Sequence, residues 1–139
     1  MDQQNRSAET ATLASRGQST ILSIENEEAV LQNRTAILES AGYRVFSATT
    51  ASAAIALFIE HKIDLVLSDD VLLGVSGADL TIFMKQTRPN LAVMLVSGSP
   101  QLPRAIQMQL DGIIRKSGSA EELLDEIQLV LNTRASKID

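Results

Sequence analysis

The sequence contains no cysteine and no tryptophan, and it has few other aromatic residues, three Phe and one Tyr. The absence of cysteine excludes disulfide bonds, thiolate metal sites and a cysteine nucleophile, so the fold must be held together by packing. Lysine and arginine number 12 against 17 acidic residues, which gives a net charge of −5. Nucleic-acid binding depends on clustered basic residues, so this balance predicts no nucleic-acid partner. No stretch approaches the roughly 20 consecutive apolar residues of a membrane-spanning helix.

What the sequence does contain is enough apolar material for one core, because 45% of its 139 residues are hydrophobic. The first 18 residues, MDQQNRSAETATLASRGQ, are polar and lack the apolar block of a signal peptide, so they predict a disordered tail. We expect one folded domain over residues 19–133 and a C-terminal tail over residues 134–139. A soluble, cytoplasmic protein is expected.

Short β-type runs alternate with longer segments of helical period, a pattern typical of βαβ units and a parallel sheet. Several strand candidates are near-continuous apolar runs, as expected where helices cover both faces of a parallel sheet. The fold class predicted is therefore α/β. The five predicted strands are Thr20–Ile24, Tyr43–Ala48, Asp64–Asp69, Leu91–Ser97 and Gly112–Arg115.

Five helices are predicted between and after these strands. The first is expected to end at Gly42 as a left-handed cap, and the last to begin with a capping box of Ser119 and Glu122. The core-facing residues predicted for the first helix are Val30, Ile37, Leu38 and Ala41. The predicted ranges are Glu27–Ala41, Thr50–Glu60, Ala78–Gln86, Pro100–Gln109 and a helix that begins near Ala120 and carries apolar residues to Leu131.

Polar side chains follow four of the predicted strands at the point where each strand ends. In an open parallel sheet, the carboxyl ends of the strands share one edge, and ligands bind there. Carboxylates gathered at this edge repel one another unless a cation neutralises them, and Mg²⁺ prefers oxygen ligands. A hydroxyl and a lysine opposite could bind phosphoryl oxygens. The residues are Glu25, Asn26 and Glu27 after the first strand, Asp69 and Asp70 after the third, Ser97 after the fourth, and Lys116 after the fifth.

This arrangement resembles the receiver domain of two-component response regulators, from about Thr20 to Leu131. Asp69 and Gly77 have the family's spacing between the phosphoacceptor aspartate and the second glycine of the following turn. The segments "ILESAGYRV" and "LVSG" and the lysine that ends the fifth strand also match. The resemblance implies a flavodoxin-like, doubly wound sheet of five parallel strands in the order 2-1-3-4-5, with helices on both faces.

Carried over residue by residue, the resemblance implies that Asp69 is the phosphoacceptor and that Ser97 and Lys116 contact the phosphoryl group. Mg²⁺ is implied as the cofactor, with ligands from Glu25, Asn26, Asp69 and the backbone carbonyl of Val71. Asp70 is expected to point away from this pocket, since neighbouring strand residues face opposite sides.

At the level of function, the resemblance implies a single-domain response regulator in a phosphorelay. The protein is expected to accept a phosphoryl group from a histidine kinase or phosphotransfer protein and to signal through a downstream protein. It is expected to be a monomer or weak homodimer, and not a separate enzyme.

Four features depart from the family pattern. The usual pair of aspartates is Glu25 and Asn26, which predicts weaker or repositioned Mg²⁺ binding. Ser117 replaces the proline that normally follows the lysine in a cis peptide, and a cis bond to a non-proline residue costs roughly 2.5–4 kcal/mol, so a trans turn is expected. Ile113 stands in place of the aromatic switch residue, and Leu73 in place of a proline.

These departures keep an alternative open, in which the domain is a degenerate pseudo-receiver that serves as a phosphorylation-independent interaction module. A small α/β enzyme is the least favoured reading. The sequence has no general-base histidine in a motif, no nucleophile elbow and no glycine-rich phosphate loop.

Overall fold

A computed structural model describes residues 18–98 and 101–138. The predicted disordered tail lies outside the described residues except for Gln18. Within the described ranges, no helix is both long and apolar enough to cross a membrane.

Five parallel strands form one sheet, and the order in space is β2-β1-β3-β6-β7. When the five strands are numbered among themselves, this is the predicted order 2-1-3-4-5, so the predicted topology is confirmed. The strands of this sheet are β1 (Thr20–Ile24), β2 (Arg44–Ala48), β3 (Leu65–Asp69), β6 (Ala92–Ser97) and β7 (Gly112–Arg115).

A second, two-stranded antiparallel ribbon follows the third strand of the sheet and was not predicted. It consists of β4 (Val71–Leu72) and β5 (Val75–Ser76), with Gly74 at the turn in the left-handed region at φ 77°. The ribbon therefore gives the loop after Asp69 a defined hydrogen-bonded shape, although Leu73 replaces the family's proline in it.

The helices cover both faces of the sheet and agree with the predicted ranges except for the fourth and fifth. Gly42 has the predicted positive φ, 96°, after the first helix, and the Ser119 hydroxyl accepts a hydrogen bond from the Glu122 amide at 3.1 Å before the last. The helices are α1 (Glu28–Ser40), α2 (Ala51–Glu60), α3 (Gly77–Thr87), α4 (Arg104–Gln107) and α5 (Ala120–Ile138).

The fourth helix is a single turn, not the predicted Pro100–Gln109. Its N-cap is Pro103, which cannot donate a backbone hydrogen bond, and none of its residues is buried. A segment with no buried side chain gains little from packing, so the helix does not extend.

The fifth helix is longer than predicted, because it continues to Ile138 through most of the stretch predicted as a C-terminal tail. Arg134 anchors this last part to the body of the domain. Its Nε donates to the Asn90 carbonyl at 2.6 Å, and its guanidinium lies 3.5 Å from the Asp64 carboxylate.

The core consists of two clusters, one on each face of the sheet. Leu67 of β3 belongs to the cluster under α1 and α5, where Leu38 and Ile127 are fully buried. Val66 belongs to the opposite cluster, under α2 and α3, with Phe58 and Met84. Because successive residues of β3 pack into opposite clusters, the strand is a continuous apolar run in the sequence. Its last residue, Asp69, lies at the carboxyl edge of the sheet.

Candidate functional site

Asp69 is the last residue of β3 and is only 2% exposed. The register of β1 and β3 pairs Ile24 with Ser68, so the next residue of each strand, Glu25 and Asp69, emerges side by side at the carboxyl edge. Glu25 is fully buried there. Two acidic side chains predicted for one site are therefore adjacent and shielded from water.

Lys116, which follows β7, reaches across to both acids. Its Nζ donates to Asp69 Oδ2 at 3.0 Å and lies 3.8 Å from Glu25 Oε1. Its backbone amide donates to the Ser97 carbonyl at 2.9 Å, which fixes the start of the side chain. The hydrogen bond to Asp69 is the largest cause of a raised pKa for Lys116, so the ammonium is firmly charged.

The pKa of Asp69 is raised above the ordinary aspartate value. Burial is the largest cause, and the charge of Glu25 acts in the same direction, whereas the hydrogen bond from Lys116 opposes it. A desolvated carboxylate that is still within reach of a cation is a common feature of functional sites.

Ser97 and Asp70 form the second part of the site, and here the expectation for Asp70 was wrong. The Ser97 hydroxyl donates to Asp70 Oδ2 at 2.6 Å, so Asp70 faces the predicted phosphoryl contact instead of pointing away. Asp70 lies one residue beyond β3, where strand alternation no longer holds, and the pairing of Asp69 with Val96 places the following residues, Asp70 and Ser97, next to each other.

The remaining residues predicted for the metal site lie at the rim. Asn26 is exposed, and so is the side chain of Val71, whose expected contribution is only its carbonyl oxygen. Within the described ranges, no three His, Cys, Asp or Glu side chains gather closely enough to hold a metal. However, Glu25 Oε1 and Asp69 Oδ1 are buried without a hydrogen-bond partner. Mg²⁺ is commonly held by one or two carboxylates and water, so these two oxygens fit a Mg²⁺ ion.

Gly77 begins α3 and packs against the backbone that carries the predicted acceptor. A Cβ at this position would overlap the Asp69 carbonyl oxygen, and the Gly77 amide donates to the Asp70 carbonyl at 2.9 Å. The eight-residue spacing from Asp69 to Gly77 thus has a steric reason, since only glycine allows the ribbon to fold back this closely.

The other departures from the family pattern have visible structural outcomes. No peptide bond in the described ranges is cis, which confirms the trans turn expected after Lys116. Ile113, which stands in place of the aromatic switch residue, is 38% exposed.

Arg34 on α1 was not predicted to contribute to the site. Its side chain is 8% exposed, and its Nη2 lies 3.6 Å from Glu25 Oε1. Burial is the largest influence on its pKa and lowers it, while the carboxylates of Glu25 and Asp69 act in the opposite direction. A guanidinium stays charged in proteins, so Arg34 is a second cation, beside Lys116, at the pair of carboxylates of Glu25 and Asp69, which we call the acidic cluster.

A spacing signal could have identified Arg34. It lies three residues after Leu31 and four before Leu38, and these three are the buried residues of α1. The predicted face included Ala41, which is exposed. An arginine in the middle of an apolar stripe indicates a buried charge that needs a carboxylate partner.

A cleft of about 720 Å³ lies far from this site, at the opposite edge of the sheet between α3 and α5. Leu91 and Asp111, which immediately precede β6 and β7, line it. The cleft shares none of its lining residues with the acidic cluster.

Curated proteins with similar sequences include a sensor kinase and a sensory transduction protein. Sensor kinase CckA of Brucella abortus is 29% identical over 120 residues, which are 83% of this chain and 13% of that protein. Sensory transduction protein RegX3 of Mycobacterium bovis is 27% identical over 113 residues, 80% of this chain and 50% of that protein. The chain therefore spans half or less of the length of these relatives.

Solved structures agree over nearly the whole fold. A CheY-like response regulator receiver domain protein from Methanospirillum hungatei superposes with a TM-score of 0.79 at 26% identity, covering 86% of this chain and 98% of that one. TrrA from Thermotoga maritima, solved with Mg²⁺ and BeF, shares the fold with a TM-score of 0.75 at 19% identity, over 81% of this chain and 98% of that one. The family model of the response regulator receiver domain matches residues 21–128. With Asp69, Lys116 and the buried Glu25 at the carboxyl edge of a 2-1-3-4-5 sheet, the chain belongs to the response regulator receiver domain family.

Proposed function

We propose that the domain accepts a phosphoryl group on Asp69 from a histidine kinase or phosphotransfer protein in the cytoplasm and passes the signal to a protein partner. The observation that carries this proposal is the 3.0 Å contact between Lys116 Nζ and Asp69 Oδ2 at the edge of the sheet. It places a fixed positive charge where the negative charge of a transferring phosphoryl group develops.

In the transfer step, a carboxylate oxygen of Asp69 attacks the phosphorus of a phosphohistidine. A P–O bond forms while the P–N bond breaks, and the bonding electron pair leaves with the imidazole nitrogen. The phosphoryl group stays on this chain, so the domain has no separate substrate. Catalysis requires mainly positioning and charge neutralisation, and Lys116 supplies part of both.

Glu25 and Asp69, with the Val71 carbonyl and Asn26 at the rim, are the residues that would hold Mg²⁺. When bound, the ion supplies positive charge to the phosphoryl oxygens. Asn26 is neutral, so this pocket offers Mg²⁺ fewer negative ligands than a pair of aspartates, and weak affinity is expected.

Output from the domain depends on Ser97. In the structure its hydroxyl is bonded to Asp70 at 2.6 Å, so turning toward a phosphoryl group on Asp69 requires that this hydrogen bond break. The segment after Ser97 leads to α4, which has no buried residue and can shift at low cost. A partner protein would read this change, with the domain acting as a monomer or weak homodimer.

A second candidate function is a pseudo-receiver that binds its partner without phosphorylation. The observation that favours it is the contact of Arg34 with Glu25, because a cation already lies against the principal candidate metal ligand. In that case the acidic cluster would be a structural remnant.

Treatment of the full chain with Mg²⁺ and acetyl phosphate tests the proposal. The wild type should gain the mass of one phosphoryl group, read by intact mass spectrometry, and beryllofluoride should shift amide NMR signals near residue 69. Asp69→Asn should give neither response, whereas Asp70→Asn, which changes the adjacent acid, should still gain the mass of one phosphoryl group.

An unmodified wild type that also fails to respond to beryllofluoride favours the pseudo-receiver. An adduct that survives in Asp69→Asn and disappears in Asp70→Asn contradicts the choice of acceptor.

A further inference from the structure

Arg34 is a buried cation in a part of the fold that otherwise packs apolar side chains. It lies between Leu31 and Leu38 on the inner face of α1, and the residue is 7% exposed. Removing a guanidinium from water costs several kcal/mol unless a negative group compensates. The fully buried Glu25 provides that compensation, with 3.6 Å between Arg34 Nη2 and Glu25 Oε1.

The two carboxylates of Glu25 and Asp69 are matched by two nearby cations without any metal. Glu25 and Asp69 contribute two negative charges, and Lys116 and Arg34, which lie 3.8 Å and 3.6 Å from Glu25 Oε1, contribute two positive charges. A divalent cation placed among these four groups would meet two fixed cations that repel it.

The contact of Arg34 with Glu25 is an ion pair and not a completed hydrogen-bond pair. Arg34 Nη1 and Glu25 Oε1 are both buried without a hydrogen-bond partner, and 3.6 Å exceeds hydrogen-bond length. A purely structural buried pair would be expected to satisfy these atoms, since each unsatisfied one is costly. The Glu25 oxygen is thus held near Arg34 but remains open to another ligand.

We propose that the Arg34 guanidinium is a built-in counter-cation of the acidic cluster, which competes with a divalent metal ion for the Glu25 carboxylate and so sets the metal affinity of the domain. This proposal rests on the proposed function, because it concerns the Mg²⁺ site described there. It assigns Arg34 as a positioning residue that acts through Glu25.

The test measures Mg²⁺ binding by the full chain in the absence of any phosphodonor, from NMR shifts of amides at the carboxyl edge. Arg34→Gln should bind Mg²⁺ at least about tenfold more tightly than the wild type, which corresponds to about 1.4 kcal/mol. Arg34→Lys keeps the charge and should stay within about threefold of the wild type, a difference of under 1 kcal/mol.

Arg44→Gln is the control for net charge. It removes the same charge from the exposed first residue of β2, at the opposite edge of the sheet, and should leave the Mg²⁺ affinity unchanged. Equal affinities of the wild type and Arg34→Gln, or an equal gain in Arg44→Gln, overturn the proposal, as does an Arg34→Gln variant that folds and does not bind Mg²⁺.

A measurement on the wild type covers the case in which Arg34→Gln does not fold. Saturating Mg²⁺ should shift the Arg34 side-chain Nε signal, because the ion displaces the guanidinium from Glu25. A Mg²⁺-bound protein with an unchanged Arg34 signal, or a wild type that binds no Mg²⁺ at the carboxyl edge up to the highest concentration, contradicts the competition. Neither measurement requires phosphorylation, so a failure of phosphoryl transfer would be seen separately.

Discussion

The carboxylate of Asp69 combines two properties that oppose each other. It is buried, which disfavours its charge, and it is held by Lys116, which favours it; burial is the larger influence, so its pKa is raised. The native state therefore keeps the Asp69 proton at pH values where the unfolded chain has released it. The free energy of unfolding falls as the pH rises from the ordinary aspartate pKa of about 3.9 to the raised pKa of Asp69. Above the raised pKa this loss of stability is complete.

Replacing Asp69 by Asn removes this penalty, because Asn has nearly the same shape and no charge. We expect Asp69→Asn to have a higher free energy of unfolding than the wild type at pH 7. The difference should shrink as the pH falls from the raised pKa toward about 4, and it should be absent below about 4. Urea denaturation across the pH range measures both curves. A variant that is less stable than the wild type at neutral pH would show that the ion pair with Lys116 outweighs desolvation.

The hydrogen bond between Ser97 and Asp70 should contribute to the stability of the resting state. A bond to a charged group is worth about 1.5–3 kcal/mol, and Asp70 is half-buried, so we expect a coupling energy of about 1 kcal/mol. A double-mutant cycle with Asp70→Ala, Ser97→Ala and the double variant measures it by urea denaturation. Purely additive losses would mean that the 2.6 Å contact does not stabilise the fold.

At the scale of elements, the ribbon of β4 and β5 is held against the end of β3 by the close approach of Gly77 to Asp69. Gly77→Ala places a methyl group against the Asp69 carbonyl oxygen, so it should lower the free energy of unfolding by about 1–3 kcal/mol and displace Asp69. Gly98→Ala is the matched control, because among the described residues, its chain neighbours apart, no atom lies within 4 Å of a Cβ there. It should cost under about 0.5 kcal/mol. Thermal unfolding compares the two, and similar losses in both would remove the steric explanation.

The elements were predictable where one local signal was sufficient. Gly42 ended α1, Ser119 capped α5, and the apolar strands were found within one or two residues. The length of α4 was not predictable, because the helical spacing of Leu102, Ala105 and Ile106 is present but no residue of α4 becomes buried. The end of α5 was also missed, since a contact of Arg134 with distant Asn90 holds it.

At the scale of the whole molecule, the two core clusters share one sheet and should unfold together. Leu22 and Leu67 are both fully buried and lie on opposite faces, so Leu22→Ala and Leu67→Ala form a matched pair that should each cost about 2–5 kcal/mol. Circular dichroism reports all helices, and Tyr43, the only tyrosine, packs against the cluster under α1 and α5. In each variant, the unfolding midpoint from circular dichroism should coincide with the midpoint from the fluorescence of Tyr43. Separate midpoints would show that the two faces unfold independently.

The sequence by itself determined the fold class and most of the site, because alternating periods and strand-end residues are local features of the chain. It was sufficient to select Asp69, Glu25, Ser97 and Lys116 as neighbours, since parallel strands present their carboxyl ends at one edge. Which side chains touch was decided by tertiary structure alone. Strand register set Asp70 against Ser97, and helix packing turned Arg34 onto Glu25. Both depend on how separate elements align across the sheet, which no local spacing specifies.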